Sequence, residues 1–481
     1  MDIDGLPYWT VRFDAQGDPD ADLRRALLTE LPASGVRDLF VFSHGWNSSP
    51  QGADRLYRRF FRLVAGELGA MPDPRPAIGV VGVVWPSMRW IDEPIPDFAA
   101  VEGGAAAVAP AVSDATVVAA LKTVFTAPEQ QKALDRMAAL LDEQPDDPAC
   151  LAEFQQLMST LGDAEEGPAP DEDAGELHLV RDDPVDVSRR MAAAAEATES
   201  AQGEGGAASV GAAAVGAALA VNADADADQG GAAGLGGAAG LGGAAGLGGA
   251  AGLGNIGSRI WRGAKEALRG FTYFQMKRRA GVVGERGLGP LCADIHAAAP
   301  AVRLHLLGHS FGGRLVSFAL KGLPGDLRPS PVKSLLLLQA AFSHFAFAPS
   351  LPFRRHDGGA LARLGDRVDG PLVVVHSAHD TAVGVFYPAA SLASGDDAAG
   401  VDDVRYRWGA MGHDGAQEVN AVLGMLNRAA ESPTPPDRGF FNVDAASVVR
   451  TGGPPAGAHS DIFHPELVRL ALRAAGLTSS G

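Results

Sequence analysis

The sequence predicts an α/β protein with a mostly parallel, doubly wound sheet that helices cover on both faces. Continuous apolar runs such as DLFVF and GVVGVV are typical of strands that are buried on both faces of a sheet. Segments with helical periodicity separate these runs along the chain, which is the alternation that parallel strands require. The 481 residues, 46% of them hydrophobic, are enough for one large domain with an insertion.

The N-terminal part of this core is predicted at residues 1–90. Its apolar and alternating runs predict strands at 8–13, 38–46 and 77–87. Two segments between these strands carry apolar residues at helical spacing, and they predict helices at 19–31 and 52–68.

An insertion is predicted at 91–257, where the alternation of strands and helices stops. It begins with a helical pair, 129–143 and 148–162, and continues with an acidic stretch that contains proline. Four copies of GGAAGL follow at 230–253, and units this small and glycine-rich have the composition of a flexible linker. Because the strands on both sides of the insertion should end at the same sheet edge, we expect the helical pair to cover the pocket there.

The C-terminal part of the core is predicted at 258–481. It opens with a basic amphipathic helix at 258–279, whose place directly before a strand favours packing on the sheet over binding to a membrane. The strands that follow are predicted at 302–308, 332–340, 371–377 and 403–408.

The composition limits the partners and the compartment. A net charge of -18 argues against nucleic acid, because basic surfaces bind phosphate backbones. The two cysteines, Cys150 and Cys292, are far apart in sequence, so they predict no disulfide framework and favour a reducing compartment. The first residues are acidic where a signal peptide is basic, and no apolar run is long enough to span a membrane. We therefore expect a soluble, cytoplasmic protein without membrane association.

A serine between glycines is the strongest functional signal. Gly308, His309, Ser310, Phe311 and Gly312 match G-x-S-x-G, directly after an apolar strand and at the start of a helical run. In such a strand-turn-helix the serine backbone is strained, and the two glycines remove side chains that would collide with the neighbouring strand and helix. The context predicts that Ser310 is a nucleophile rather than part of a structural turn.

A nucleophilic serine needs a base, and the base needs an acid that orients it. Asp380 lies just beyond a predicted buried strand, at the sheet edge where Ser310 should lie, and is the predicted acid. Two histidines compete for the base: His413 follows the last predicted strand, whereas His459 lies in a later loop rich in glycine and proline. The spacing of these residues leaves the choice open.

An early strand predicts the oxyanion-stabilising groups. His44, Gly45 and Trp46 come at its end, where a His-Gly turn can direct a backbone N–H into the site. We expect the N–H groups of Trp46 and Phe311 to be the two donors, the second at the start of a helix. Trp85 ends another strand and is a candidate pocket residue, although a tryptophan at this position suits the core equally well.

Several strings together resemble a group of bacterial and fungal serine hydrolases with the α/β-hydrolase fold. They are SHGW, VVWPS, YFQMKRRAGVVGERGLGPL, LLGHSFGG and GAHSDIFHPEL, and the resemblance covers 1–90 and 258–481 but not the insertion. The resemblance implies that Ser310 is the nucleophile and Asp380 the acid. Because GAHSDI is similar to the histidine-bearing string of the group, it also favours His459 as the base, although this departs from the usual place after the last strand.

These residues predict a serine hydrolase that cleaves an ester, thioester or amide of a small-molecule acyl substrate. The reaction would proceed through an acyl-enzyme, as in a carboxylesterase or lipase-like enzyme, and would need no metal or organic cofactor. The same site would catalyse acyl transfer if water were excluded. A binding or scaffold protein with a vestigial site is the alternative outside catalysis.

Overall fold

The computed structural model describes the chain with several gaps. The described residues are 1–46, 48–73, 75–87, 90, 113–162, 175–203, 251–382, 406–407, 409–428, 431–452 and 457–478. The acidic stretch up to residue 174 and the GGAAGL repeats up to residue 250 therefore lie outside the described residues.

Strands in the described ranges form one nine-stranded sheet. They are β1 (Asp2–Ile3), β2 (Leu6–Arg12), β3 (Asp38–Ser43), β4 (Ile78–Val84), β5 (Arg303–His309), β6 (Val332–Leu338), β7 (Pro371–His376), β8 (Val422–Met425) and β9 (Gly439–Asp444). Their order across the sheet is β1-β2-β4-β3-β5-β6-β7-β9-β8, and every pair except β1–β2 is parallel. The predicted α/β class with a mostly parallel sheet is confirmed.

Helices pack on both faces of this sheet. They are α1 (Ala21–Glu30), α2 (Pro50–Gly69), α3 (Asp114–Leu121), α4 (Pro128–Glu143), α5 (Pro148–Ser159), α6 (Gly175–Arg181), α7 (Pro184–Gly203), α8 (Ala251–Val282), α9 (Gly289–Ala298), α10 (Phe311–Gly322) and α11 (Pro465–Ala474). A π-helical turn, Val283–Leu288, joins α8 to α9. In the described part of the chain, no helix combines the length and the apolar character that a membrane span requires.

The alternation of side chains along each strand explains the continuous apolar runs. In β3, Leu39 and Val41 belong to one hydrophobic cluster, whereas Phe40 and Phe42 belong to another on the opposite face. Residues of α1, α8, α9 and α10 complete the first cluster, and residues of α2 and α11 complete the second. Each strand is therefore apolar on both faces because helices cover both faces.

The predicted helical pair of the insertion corresponds to α4 and α5. Both helices pack within the cluster that covers the first face of the sheet, to which Leu134 and Phe154 contribute buried side chains. Trp261 of α8 packs edge-on against Phe154, with ring centroids 5.9 Å apart, and its indole N–H donates to the Pro145 carbonyl. Helix α8 begins at Ala251, so it crosses the boundary predicted between 257 and 258.

The strand prediction at 403–408 is wrong where the structure describes it, because Tyr406 and Arg407 are helical. β9 occupies the position beside β7 instead, with Phe441 and Val443 buried in the cluster of α2 and α11. The alternating pattern of 403–408 fits a half-buried strand, but pattern alone does not identify the partner strand. β8 and β9 were not predicted, because β8 has only four residues and polar Asn442 and Asp444 interrupt the apolar pattern of β9.

Substitution of two glycines by alanine tests how closely the helices pack. A Cβ on Gly284, in the π-helical turn, would lie 2.2 Å from the carbonyl oxygen of Leu315, whereas a Cβ on Gly66, in α2, meets no atom within 4 Å. We expect Gly284→Ala to lower the free energy of unfolding by about 1 to 3 kcal/mol through overpacking. Gly66→Ala should raise it by about 0.5 to 1 kcal/mol through helix propensity.

Urea denaturation of the two variants and the wild type measures both effects in one series. A Gly284→Ala protein as stable as the wild type would contradict the observed packing of the π-helical turn on α10.

Candidate active site

Loops from β3 and β5 meet at the carboxyl edge of the sheet. The chain leaves β3 for α2 on one face, and it leaves the neighbouring strand β5 for α10 on the other face. Two adjacent parallel strands with helices on opposite faces form a crevice, which is where open α/β sheets bind ligands. Gly45 and Ser310 meet in this crevice: a Cβ on Gly45 would lie 2.6 Å from the Cβ of Ser310. Only glycine permits this approach.

Ser310 has the strained backbone predicted for it. Its φ of 56° and ψ of -126° lie in a region that residues with a side chain rarely adopt. β6 holds the strained turn in place, because the Ser310 N–H donates to the Leu338 carbonyl at 3.2 Å and the Ala341 N–H donates to the Ser310 carbonyl at 3.2 Å. The Ser310 hydroxyl forms no hydrogen bond with any described residue.

The glycines of the motif allow the turn to pack tightly. A Cβ on Gly312 would lie 2.0 Å from the carbonyl oxygen of Ser43 at the end of β3. A Cβ on Gly308 would lie 2.4 Å from the carbonyl oxygen of Gly312. Both glycines therefore serve the role predicted for them, which is to let α10 approach the strands.

Asp380 and His459 form a hydrogen-bonded pair. The Nδ1 of His459 lies 2.8 Å from the Oδ2 of Asp380, and the Asp380 side chain is fully buried. The two loops are joined by an isolated antiparallel bridge between Asp380 and Gly457 and by a hydrogen bond from the Ala458 N–H to the His379 carbonyl. A carboxylate at Nδ1 fixes the tautomer in which Nε2 is unprotonated and can accept a proton.

His309 connects this pair to the turn of Ser310. Its Nε2 lies 2.9 Å from the carbonyl oxygen of His459, and the two imidazole rings have centroids 5.0 Å apart. Since His309 directly precedes Ser310, this contact places the loop of His459 beside the turn that carries the serine. The sequence prediction assigned His309 only to the motif and not to this contact.

His413 contacts the backbone near the acid rather than its carboxylate. Its Nδ1 lies 3.4 Å from the carbonyl oxygen of Asp380, and the residue belongs to a short helical turn, Met411–Asp414. β8 and β9 follow His413 in the chain, so the position after the last strand of the sheet belongs to His459. The structure thus brings His459, and not His413, to the Asp380 carboxylate.

His44 orients the peptide bond between Gly45 and Trp46. Its Nδ1 lies 2.8 Å from the Gly45 carbonyl oxygen, and its Nε2 accepts the N–H of Trp85 at 3.3 Å. Burial lowers the pKa of His44 to about 4, so the ring is neutral at pH 7 and donates through Nδ1. Because a peptide bond is planar, fixing the Gly45 carbonyl also fixes the N–H of Trp46.

The structure places Trp85 beneath the site rather than in a pocket wall. The side chain is 2% exposed and stacks on His44 with ring centroids 5.5 Å apart. Its indole N–H donates to the His44 carbonyl at 3.0 Å. Trp85 therefore supports the turn that follows β3.

The two predicted oxyanion donors lie on either side of Ser310 in the crevice. Trp46 directly follows Gly45, and Phe311 is the first residue of α10. Neither backbone N–H has an acceptor within the described ranges of the chain. The N-terminus of α10 adds a positive partial charge at this point.

Aromatic side chains from three elements line the same region. Tyr273 of α8 lies with its ring centroid 5.5 Å from that of Trp46 and 5.0 Å from that of Phe311. Trp46 is half-buried, and its indole N–H is buried without an acceptor among the described residues. The sequence analysis placed no residue of this helix at the site; the contact of Tyr273 with Trp46 joins residues more than 200 positions apart.

Gln339 was also missed. It directly follows β6, has a φ of 44°, is fully buried, and its amide forms no hydrogen bond within the described part of the chain. A polar residue that ends the run LLLLQ was the available signal in the sequence. Buried amides without partners are rare in proteins, and strained residues cluster at functional sites.

Comparison of the chain with protein-family models, with curated protein sequences and with solved structures finds no match. The fold and the site define an α/β protein in which a strained serine follows a central strand and the residue before it contacts a hydrogen-bonded His–Asp pair. Among the described residues, no group of three or more His, Cys, Asp or Glu side chains could hold a metal ion.

The buried neutral His44 should make stability depend on pH. Its pKa is about 4 in the folded protein against 6.5 in the unfolded chain, so the unfolded chain binds a proton first as the pH falls. Stability is therefore lost between about pH 6.5 and 4, and the loss at pH 5 should be about 2 kcal/mol relative to pH 7.

His44→Asn keeps a side-chain donor near Nδ1 but does not titrate. Urea denaturation at pH 7 and pH 5 should show a smaller loss of stability for His44→Asn than for the wild type, by about 2 kcal/mol. An equal loss in both proteins would mean that His44 is not held neutral by burial.

Proposed function

We propose that this protein is a serine hydrolase with the α/β-hydrolase fold, which cleaves an ester, thioester or amide through an acyl-enzyme. The observation that carries the proposal is the Asp380–His459 pair, 2.8 Å apart and linked by His309 to the strained turn of Ser310. Carboxylesterase or lipase-like cleavage of a small-molecule acyl substrate is the form of this activity that we propose.

The order of the residues along the chain supports the fold assignment. The serine follows β5, the acid follows β7, and the histidine follows β9, which is the chain order Ser, Asp, His of α/β-hydrolases. The three side chains come from segments that follow the carboxyl ends of parallel strands. The second oxyanion donor of that fold comes from the loop after an early strand, as Trp46 does after β3.

The mechanism assigns one role to each group. His459 accepts the proton of the Ser310 hydroxyl through Nε2 while the serine oxygen attacks the acyl carbonyl, and it later returns a proton to the leaving group. Asp380 holds the ring through Nδ1 and stabilises the imidazolium that forms. The N–H groups of Trp46 and Phe311 stabilise the oxyanion, and water then hydrolyses the acyl-enzyme.

The His309–His459 contact supports a close approach of the His459 loop to the turn of Ser310, whose hydroxyl forms no hydrogen bond with a described residue. Catalytic hydrogen bonds are often long in free enzymes and tighten when substrate binds.

Both cysteines are free thiols, which supports our proposal that the protein acts in the reducing cytoplasm.

Covalent labelling by a fluorophosphonate tests the proposal. We expect one label per wild-type chain by intact mass and none on Ser310→Ala. His459→Ala should slow labelling by about 100-fold or more, because loss of a triad member removes most of the activation of the serine.

His413→Ala is the matched control, since the ring of this histidine contacts the backbone carbonyl of Asp380 and not its carboxylate, and it should label within a few-fold of the wild-type rate. Circular dichroism establishes that each variant is folded. A folded wild type that takes no label would refute the proposed site. So would a His413→Ala protein that loses labelling while His459→Ala labels at the wild-type rate.

A further inference from the structure

The edge of the sheet formed by β8 exposes apolar side chains. Val422 is 50% exposed, Leu423 79% and Met425 66%, and the described chain has only two other exposed large hydrophobic residues, Met1 and Tyr406. An exposed strand edge that carries apolar residues is a template for pairing with another strand. The opposite edge differs, because β1 has only two residues and is flanked by charged Asp4.

The backbone of β8 has unused hydrogen-bonding groups. The Leu426 N–H donates to the Asp444 carbonyl at 2.8 Å, so this residue turns its backbone groups toward β9. In a parallel ladder the backbone groups of alternate residues face the neighbouring strand, so the N–H and C=O groups of Leu423 and Met425 point outward. The N–H groups of Leu423 and Met425 donate to no described residue. β8 also lacks the charged residues, prolines and bulges by which edge strands are protected.

We propose that β8 pairs antiparallel with β8 of a second copy of this chain, about a two-fold axis near Gly424. In this register Leu423 lies opposite Met425 of the other copy, and the outward N–H and C=O groups of both residues are satisfied. The exposed Leu423 and Met425 side chains then form cross-strand contacts on one face of a continuous sheet. Residue 424, at the axis, is glycine and carries no side chain there. A Cβ at this position would lie 2.4 Å from the Phe441 ring, so the packing of β8 on β9 favours glycine.

The charges at the two ends of β8 favour a second copy of this chain in antiparallel orientation. Exposed Glu418 precedes the strand, and exposed Arg428 follows it. Two-fold antiparallel pairing about Gly424 brings the start of one β8 beside the end of the other. Glu418 of each copy and Arg428 of the other then lie at the same end of the paired strands, two residues from direct opposition. A self-complementary surface of this kind defines a closed dimer.

Sedimentation equilibrium between 1 and 100 µM tests the association. We expect a monomer–dimer equilibrium for the wild type and a dissociation constant at least tenfold higher for Leu423→Lys. Tyr406→Lys, at an exposed hydrophobic residue outside β8, is the matched control and should dimerise like the wild type. A wild type that stays monomeric at 100 µM, or a dimer that Leu423→Lys leaves intact, would overturn the proposal.

Charge exchange tests the orientation. Glu418→Arg and Arg428→Glu should each weaken the dimer, because each places like charges together, and the double variant should restore it. If the double variant dimerises no better than the single variants, the two residues do not lie near each other across the interface and the antiparallel two-fold arrangement is wrong.

Disulfide formation tests the register. A mixture of Leu423→Cys and Met425→Cys chains should form a linked dimer on mild oxidation, since opposed residues in an antiparallel pair lie close enough for a disulfide. Each variant alone should link much more slowly. Faster linking of Leu423→Cys alone than of the mixture would refute the register.

Discussion

The parallel pairing of β3 with β5 is the constraint on which the site depends. Ser43 is in register with Gly308, so Gly45 and Ser310, each two residues further on, meet directly above the sheet. A shift of this register by one residue would exchange the side chains of the two faces and separate these loops. The pairing also accounts for the glycine after β3, because any side chain there would occupy the position of Ser310.

The other half of the site depends on the pairing of β7 with β9. His376 is in register with Asp444 at the carboxyl ends of these strands, and the chain continues from β9 to the loop that carries His459. Gly457 has a φ of 60°, and a Cβ there would lie 2.4 Å from the His379 carbonyl oxygen, so glycine lets this loop contact the loop of Asp380. The His–Asp pair thus results from backbone contacts between two loops that are far apart in the chain.

Local signals predicted the parts of the site that short segments form. The turn of Ser310 was predictable because strand, serine, glycines and helix are contiguous, and Asp380 was predictable from the buried strand before it. The contact of His309 with His459 and the contact of Tyr273 with Trp46 were not predictable, because each contact joins distant segments of the chain. β9 escaped prediction because Asn442 interrupts its apolar pattern, although this side chain exchanges two hydrogen bonds with the backbone of Ala416. Because β9 was not predicted, the sequence analysis placed His413 after the last strand.

The insertion between β4 and β5 has a consequence for synthesis of the chain. The partner strands β3 and β5 are separated by about 260 residues, so a ribosome adding about 5 to 20 residues per second completes β5 some 10 to 50 seconds after β3. During that interval β3 has β4 on one side and an open apolar edge on the other. A nascent chain in this state exposes the strand edge that later forms the centre of the sheet, and an unpaired apolar edge of this kind is prone to aggregation.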